Sequence, residues 1–228
     1  YIVDYGVHQV HGTVYGSDEG IDVALKKSIL AFLDESKEYG YCTLGGEVIE
    51  IDRTLIDARW RTQAVYDACM AAGLGIQPIM GIGQSDGCVQ ANFNDVQRRT
   101  ADKKPGDGWF LSRKGKLWLV LADTDRWKAW EHDRWMTAPD KVGCMSVFGK
   151  PSGPGERFSH DERDHHSYAH HICNEIEIEE PYKGTTRRRW KPKGANHWLD
   201  ASYYADVAAN MEGIRLPGQS ASKLANRS

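Results

Sequence analysis

Two aspartates, Asp57 and Asp200, have the residue type and the local setting needed for metal-assisted chemistry. Asp57 closes the β-like run Val48–Asp57. Asp200 lies in the first turn of a predicted helix whose apolar residues recur every four positions. These apolar residues are Leu199, Tyr203, Val207 and Met211. Because carboxylate oxygens are the ligands that Mg²⁺ and Mn²⁺ prefer, the two acids predict a divalent-metal site that acts on phosphodiesters.

Both aspartates also have a simpler interpretation. A carboxylate in the first turn of a helix is stabilised by the helix dipole, which would explain Asp200 without any metal. An aspartate after a strand is a common turn residue, which would explain Asp57.

A basic cluster precedes the helix that carries Asp200. It surrounds Trp190 and consists of Arg187, Arg188, Arg189, Lys191 and Lys193. These cations suit the phosphates of a nucleic acid, with one aromatic ring available for stacking. An acidic run comes just before them, at Glu175, Glu177, Glu179 and Glu180. The alternative is therefore that the two runs pair with each other across a hairpin.

The composition excludes several classes of protein. The chain has 228 residues, is 40% hydrophobic and 27% charged, and carries a formal net charge of −3, so it is globular and any nucleic-acid contact must be local. Its five cysteines lack a C-x-x-C motif, which favours reduced thiols and a cytoplasmic location. There is no apolar stretch long enough for a membrane span and no signal peptide. A phosphate-binding loop of the G-x-x-x-x-G-K-[ST] type is also absent, so this sequence contains no ATPase motor.

The order of the predicted elements indicates an α/β fold. The predicted strands are Tyr1–Val10, Val48–Asp57, Ile76–Ile82, the hairpin Trp109–Ala122, and the pair Ile176–Glu180 and Arg187–Lys191. The predicted helices are Asp18–Tyr39, a helix capped by Thr62 and ended by Gly73, Arg126–Met136, Asp161–Cys173 and Trp198–Glu212. Gly83–Gly108 is predicted to be an exposed loop, 1–215 a single domain and 216–228 a flexible tail. Strands that alternate with helices favour a sheet flanked by helices.

Four stretches together resemble the nuclease domain of phage large terminase subunits of the lambda-like type, a ribonuclease H-like fold. They are Ile2–Gly6, Leu55–Asp67, Leu117–Lys128 and Asn196–Ala205. The longest and most specific matches are the stretch around Asp57 and the Asn-His-Trp-Leu-Asp run that ends at Asp200. The order and spacing of the stretches fit that domain across nearly the whole chain.

The resemblance implies a mixed ribonuclease H-like sheet and an endonuclease that cuts viral DNA during genome packaging. It implies a two-ion Mg²⁺ or Mn²⁺ site and double-stranded DNA as the substrate. It also implies the packaging ATPase, the small terminase subunit and the portal as partners, in the cytoplasm of a phage-infected host. The alternative is a non-catalytic DNA-binding or assembly module of the packaging machinery.

The first acid of the implied catalytic triad is left open by the sequence. Asp57 and Asp200 match the second and third acids, and Asp4 is the candidate for the first. In the family, however, a segment like Ile2–Gly6 resembles the second strand, so the acid-bearing strand would precede Tyr1. Asp123, which follows the apolar arm of the predicted hairpin, is a further candidate.

Overall fold

The computed structural model describes residues 2–12, 18–43, 45–83, 93, 103–148, 160–182 and 184–214. The helices in this part of the chain are α1 (Asp18–Tyr39), α2 (Thr62–Ala72), α3 (Thr124–Met136), α4 (His160–Cys173) and α5 (His197–Met211). The strands are β1 (Tyr41–Cys42), β2 (Val48–Ile49), β3 (Thr54–Asp57), β4 (Ile76–Ile82), β5 (Lys103–Pro105), β6 (Trp109–Lys114), β7 (Leu117–Asp123), β8 (Glu175–Tyr182) and β9 (Thr185–Pro192).

The chain forms two compact units. One contains residues 6–81 and 93–122, with helices α1 and α2 and nearly all of strands β1–β7. The other contains residues 1–5, 82–92 and 123–228, with helices α3, α4 and α5 and the hairpin β8–β9. Asp57 belongs to the first unit, and Asp4 and Asp200 belong to the second.

A five-stranded mixed sheet organises the first unit, in the order β3-β4-β7-β6-β5. Strands β3 and β4 are parallel, whereas β6 is antiparallel to both β5 and β7. The inner strands β4 and β7 are buried along most of their length, as expected for strands that have a neighbour on each side. Gly115, with φ of 64°, provides the positive φ that the tight turn between Lys114 and Leu117 requires.

Helices α1 and α2 pack against each other beside this sheet. In α1, Leu25, Ile29 and Leu33 follow one another at intervals of four residues and therefore share one helical face. They join a core cluster with Val65 and Cys69 of α2, which also includes residues of β4 and β7.

The second unit has an aromatic core. Tyr168 and Ile172 of α4 and Leu199 of α5 are buried together, and Trp135 and Trp198 pack around them. Three of the four residues of the stripe predicted along α5 are buried: Leu199, Tyr203 and Val207 are each no more than 1% exposed, whereas Met211 is partly buried. No helix among the described residues is long and apolar enough to cross a lipid bilayer.

The strand predicted at Tyr1–Val10 is wrong. Among residues 2–12 only Ile2 has a β-type contact, an isolated parallel bridge to Val147. Val3 and Val7 are exposed, since no described strand pairs with them. The β-propensity of this segment is therefore not realised, because β-propensity acts only through pairing with a neighbouring strand.

Three smaller predictions also need correction. Val48–Asp57 is not one strand but two, β2 and β3. Thr62 does not cap α2: its hydroxyl donates to the carbonyl of Ala58 (2.8 Å), and Arg61 occupies the cap position. The predicted loop Gly83–Gly108 contains strand β5 and a buried residue, Phe93. Most of this predicted loop lies outside the described residues, and so does the predicted tail.

Candidate active site

Asp57 is the last residue of β3, and its carboxylate is fixed by the turn that follows. The backbone N–H of Ala58 donates to Ile79 (2.9 Å), which extends the pairing of β3 with β4 by one residue. The backbone N–H of Arg59 then donates to Oδ1 of Asp57 (3.2 Å). The guanidinium of Arg59 donates to the carbonyl of Gly81 in β4 (Nε to O, 2.9 Å). Asp57 is exposed at this edge of the sheet.

Asp200 lies in the first turn of α5 and forms an ion pair with a buried lysine. Its Oδ1 is 2.8 Å from Nζ of Lys128, which lies in α3. The side chain of Lys128 is only 5% exposed, whereas that of Asp200 is 32% exposed. The carboxylate of Asp200 thus contacts a buried cation, and about a third of the side chain is exposed.

Glu175, the first residue of β8, is the second anionic partner of Lys128. Its Oε2 is 2.5 Å from Nζ of Lys128 and accepts a second hydrogen bond from Nδ2 of Asn196 (2.5 Å). The side chain of Glu175 is 6% exposed, so this contact is buried. Nζ of Lys128 also lies 5.6 Å from the centroid of the Tyr203 ring, a favourable position for a cation.

Lys128 and Glu175 were not predicted from the sequence as parts of this site. Both are charged residues in segments rich in charge, and their burial depends on contacts between residues far apart in the chain. One signal was present: Trp127 and Glu131, which are one turn apart, share the buried face of α3 with Lys128. A lysine on such a face needs an anionic partner.

The remaining acidic candidates differ in environment. Asp4 is exposed and outside any regular strand. Asp123 is buried and caps α3, where its Oδ1 accepts from the backbone N–H of Arg126 (3.1 Å). Burial raises the pKa of Asp123, and the neighbouring charge of Asp125 adds to the increase, whereas the hydrogen bond from Arg126 opposes it.

The donor chemistry fits a divalent metal, although a complete ligand set is not shown. Asp57 is exposed and Asp200 is partly exposed, and a carboxylate is the type of group that a hard cation binds. Within the part of the chain that the structure describes, no three His, Cys, Asp or Glu side chains are grouped so as to hold a metal ion. The assignment of Asp57, Asp200 and Asp4 to a metal site therefore stays a prediction.

The arginines of β9 pair with the glutamates of β8. Arg187 and Arg189 both contact Glu180, with Nε to carboxylate oxygen distances of 2.7 and 2.8 Å, and Arg188 contacts Glu179 at 2.9 Å. The hydrogen bonds from Arg187 and Arg189 lower the pKa of Glu180. The register of the hairpin places the two runs side by side, so pairing across the hairpin is what the structure shows for these three residues.

The indole of Trp190 is not a freely exposed platform. The side chain is partly buried, and its ring lies 4.9 Å from the imidazole of His132, measured between centroids. Burial lowers the pKa of His132. Lys191 and Lys193, the remaining members of the basic cluster, are exposed.

A buried carboxyl pair joins helices α3 and α5. Glu131 is fully buried and forms a hydrogen bond with Asp206. Burial, with the hydrogen bond and the charge of Glu131, raises the pKa of Asp206 to about 10. Burial also raises the pKa of Glu131, against the hydrogen bonds from Asp206 and from Nε1 of Trp135 (3.0 Å). We therefore expect the pair to hold one proton at neutral pH.

Helices combined with a mixed parallel and antiparallel sheet define an α/β protein whose architecture is consistent with a ribonuclease H-like nuclease fold. The family model described as the endonuclease domain of the terminase large subunit gpA matches residues 1–221. The chain belongs to this family, which confirms the resemblance found in the sequence. Comparison with the curated proteins finds no significant match.

Proposed function

We propose that this chain is a divalent-metal-dependent DNA endonuclease that cuts viral DNA during genome packaging. The observation that carries the proposal is the match to the terminase endonuclease domain over residues 1–221, which includes both Asp57 and Asp200. Membership of this family assigns a nuclease role within the packaging machinery. The dependence on metal, the residues that act and the specific partners are the proposed part.

The proposed catalytic residues are Asp57, Asp200 and Asp4, which would hold Mg²⁺ or Mn²⁺ through their carboxylates. When bound, a pair of such ions would supply an activated water and charge stabilisation for the leaving oxygen. The chain's own contribution is orientation. The N–H of Arg59 fixes the carboxylate of Asp57, and the ammonium of Lys128 fixes that of Asp200.

Double-stranded DNA is the proposed substrate, and the hairpin β8–β9 is its proposed contact surface. The residues that would contact phosphates are Arg187, Arg188, Arg189, Lys191 and Lys193. Lys191 and Lys193 are exposed, and Arg188 is 64% exposed even though it pairs with Glu179. The packaging ATPase, the small terminase subunit and the portal are the proposed protein partners.

A non-catalytic DNA-binding or assembly module is the second candidate function. The observation that favours it is the ion pair between Asp200 and Lys128, in which an oxygen of a proposed metal ligand already has a cationic partner. Such a module would bind DNA but would not cut it.

Nicking of supercoiled plasmid in Mn²⁺ tests the proposal. We expect Asp57→Asn to reduce nicking by about 100-fold or more, because losing a ligand should cost at least as much as losing a residue that supports one. DNA binding, measured in Ca²⁺, should change less than about twofold. Asp67→Asn is the matched control, since Asp67 is a partly exposed aspartate of α2 whose described contact is with Gln63 of the same helix. Wild-type chain that binds DNA without nicking it would favour the second candidate.

A further inference from the structure

Lys128 is a buried cation at the meeting point of three elements of the second unit. Its side chain is 5% exposed, and its ammonium touches Glu175 of β8 and Asp200 of α5. Taking an ammonium out of water is costly unless anionic partners compensate it. Two carboxylates within 2.8 Å provide that compensation. The position of Lys128 is therefore determined by its charge as well as by its packing.

A series of contacts connects Asn196 and Glu175 to Asp200 through Lys128. The amide of Asn196 and the ammonium of Lys128 both donate to Oε2 of Glu175. The same ammonium lies against Oδ1 of Asp200, an atom that is itself buried. About a third of the Asp200 side chain is nevertheless exposed, so the exposure belongs to its other atoms. Lys128 thus contacts the carboxylate oxygen of Asp200 that is buried.

We propose that Lys128 is a positioning residue for Asp200. Its ammonium is a built-in counter-cation that orients the carboxylate and lowers its affinity for a divalent cation. This inference rests on the proposed function for the role of Asp200 as a metal ligand. A unit positive charge about 6 Å from a dication weakens its binding by about tenfold, even at the dielectric constant of water.

Isothermal titration with Mn²⁺, in the absence of DNA, tests this role directly. The substitution Lys128→Met removes the charge and keeps most of the apolar stem. We expect the dissociation constant for Mn²⁺ to fall by about tenfold, and we expect adding Asp200→Asn to abolish the gain. Lys141→Met is the matched control, because Lys141 pairs with Asp140 in an exposed position and should not affect Mn²⁺ binding. A folded Lys128→Met chain with the wild-type dissociation constant would overturn the proposal.

A second variant guards against loss of the fold. Lys128→Met leaves two carboxylates without their buried partner, a change that often destabilises a protein strongly. Combining it with Glu175→Gln removes one of these charges, and the double variant should show the same direction of change in Mn²⁺ affinity. If neither variant folds, NMR of the ¹⁵N-labelled lysine ammonium groups of the wild-type chain decides. The Lys128 signal should shift when Mg²⁺ is added, and an unmoved signal at saturating Mg²⁺ would contradict the proposal.

The outcome for Lys128 is separate from the outcome for the nuclease. Wild-type chain that does not nick DNA contradicts the proposed function, whatever Lys128→Met does to Mn²⁺ binding. Equal Mn²⁺ affinity of the wild-type and Lys128→Met chains contradicts the inference about Lys128, even if the wild-type chain nicks DNA efficiently.

Discussion

Replacing Asp206 with asparagine tests the shared-proton pair between helices α3 and α5. In the folded chain Asp206 has a pKa of about 10, compared with 3.8 for an ordinary aspartate. The folded state therefore holds a proton on this pair that the unfolded chain releases above about pH 4. The contribution of Asp206 to stability is complete below pH 4 and is lost progressively as the pH rises towards 10.

The size of the effect follows from these two pKa values. At pH 7, keeping the proton costs about 4 kcal/mol, since each pH unit above 3.8 costs about 1.36 kcal/mol. Asparagine needs no proton to be neutral, and its amide can donate to Glu131 as the protonated Asp206 does. We therefore expect Asp206→Asn to raise the free energy of unfolding at pH 7 by about 2 to 4 kcal/mol, and to leave it nearly unchanged at pH 4.

Urea unfolding followed by circular dichroism at a series of pH values from 4 to 9 measures this difference. As the pH rises, the free energy of unfolding of the wild-type chain should fall relative to that of the variant. The difference between the two free energies should increase steadily from pH 4 to pH 9. Asp140→Asn is the control, because Asp140 is exposed and pairs only with its neighbour Lys141 in the contacts described; its effect should stay within about 0.5 kcal/mol. Parallel curves for the wild-type and Asp206→Asn chains would refute the shared proton.

Two further predictions concern the core and the hairpin. Leu199→Ala should reduce the free energy of unfolding by about 2 to 5 kcal/mol in the same urea assay, because Leu199 is fully buried. Leu74→Ala is the control and should change the free energy of unfolding by less than about 0.5 kcal/mol, because Leu74 is fully exposed. If Lys191 and Lys193 contact phosphates, replacing both with Ala should lower the slope of log affinity against log salt by about 1.8 on any duplex, measured by fluorescence anisotropy. Arg187→Ala should change this slope by less than about 0.9, the value for one phosphate contact, since Arg187 is paired with Glu180, and a change of about 0.9 or more would contradict that reasoning.

Elements with a strong local pattern could be predicted from the sequence. Helix α1 and strand β4 have the predicted bounds, Asp18–Tyr39 and Ile76–Ile82, because their apolar patterns are long and are bounded by glycines. The end of α2 was also predictable, since Gly73 has a φ of 94° that favours glycine. The segment from Ile2 to Val10 has equally good β-formers, but its strand required a pairing partner that local sequence cannot specify.

The candidate site was predictable only in part, because some of its contacts join residues that are far apart in the chain. The local settings of Asp57 and Asp200, a strand end and a first helical turn, follow from nearby residues and are confirmed. The burial of Lys128 depends on Glu175, 47 residues further along the chain, and on Asp200 beyond it. The sequence offered two roles for the arginines of β9, and only the register of the hairpin shows that they meet the glutamates of β8.

Mn²⁺-dependent nicking of supercoiled plasmid by an Asp200→Asn chain tests whether Asp200 belongs to the catalytic centre. Asp206→Asn is the paired variant, since both aspartates lie in α5 and both lose one carboxylate. We expect Asp200→Asn to abolish nicking while the chain still binds DNA, and we expect Asp206→Asn to nick at the wild-type rate. Nicking by the Asp200→Asn chain at the wild-type rate would contradict the assignment of Asp200 to the catalytic centre.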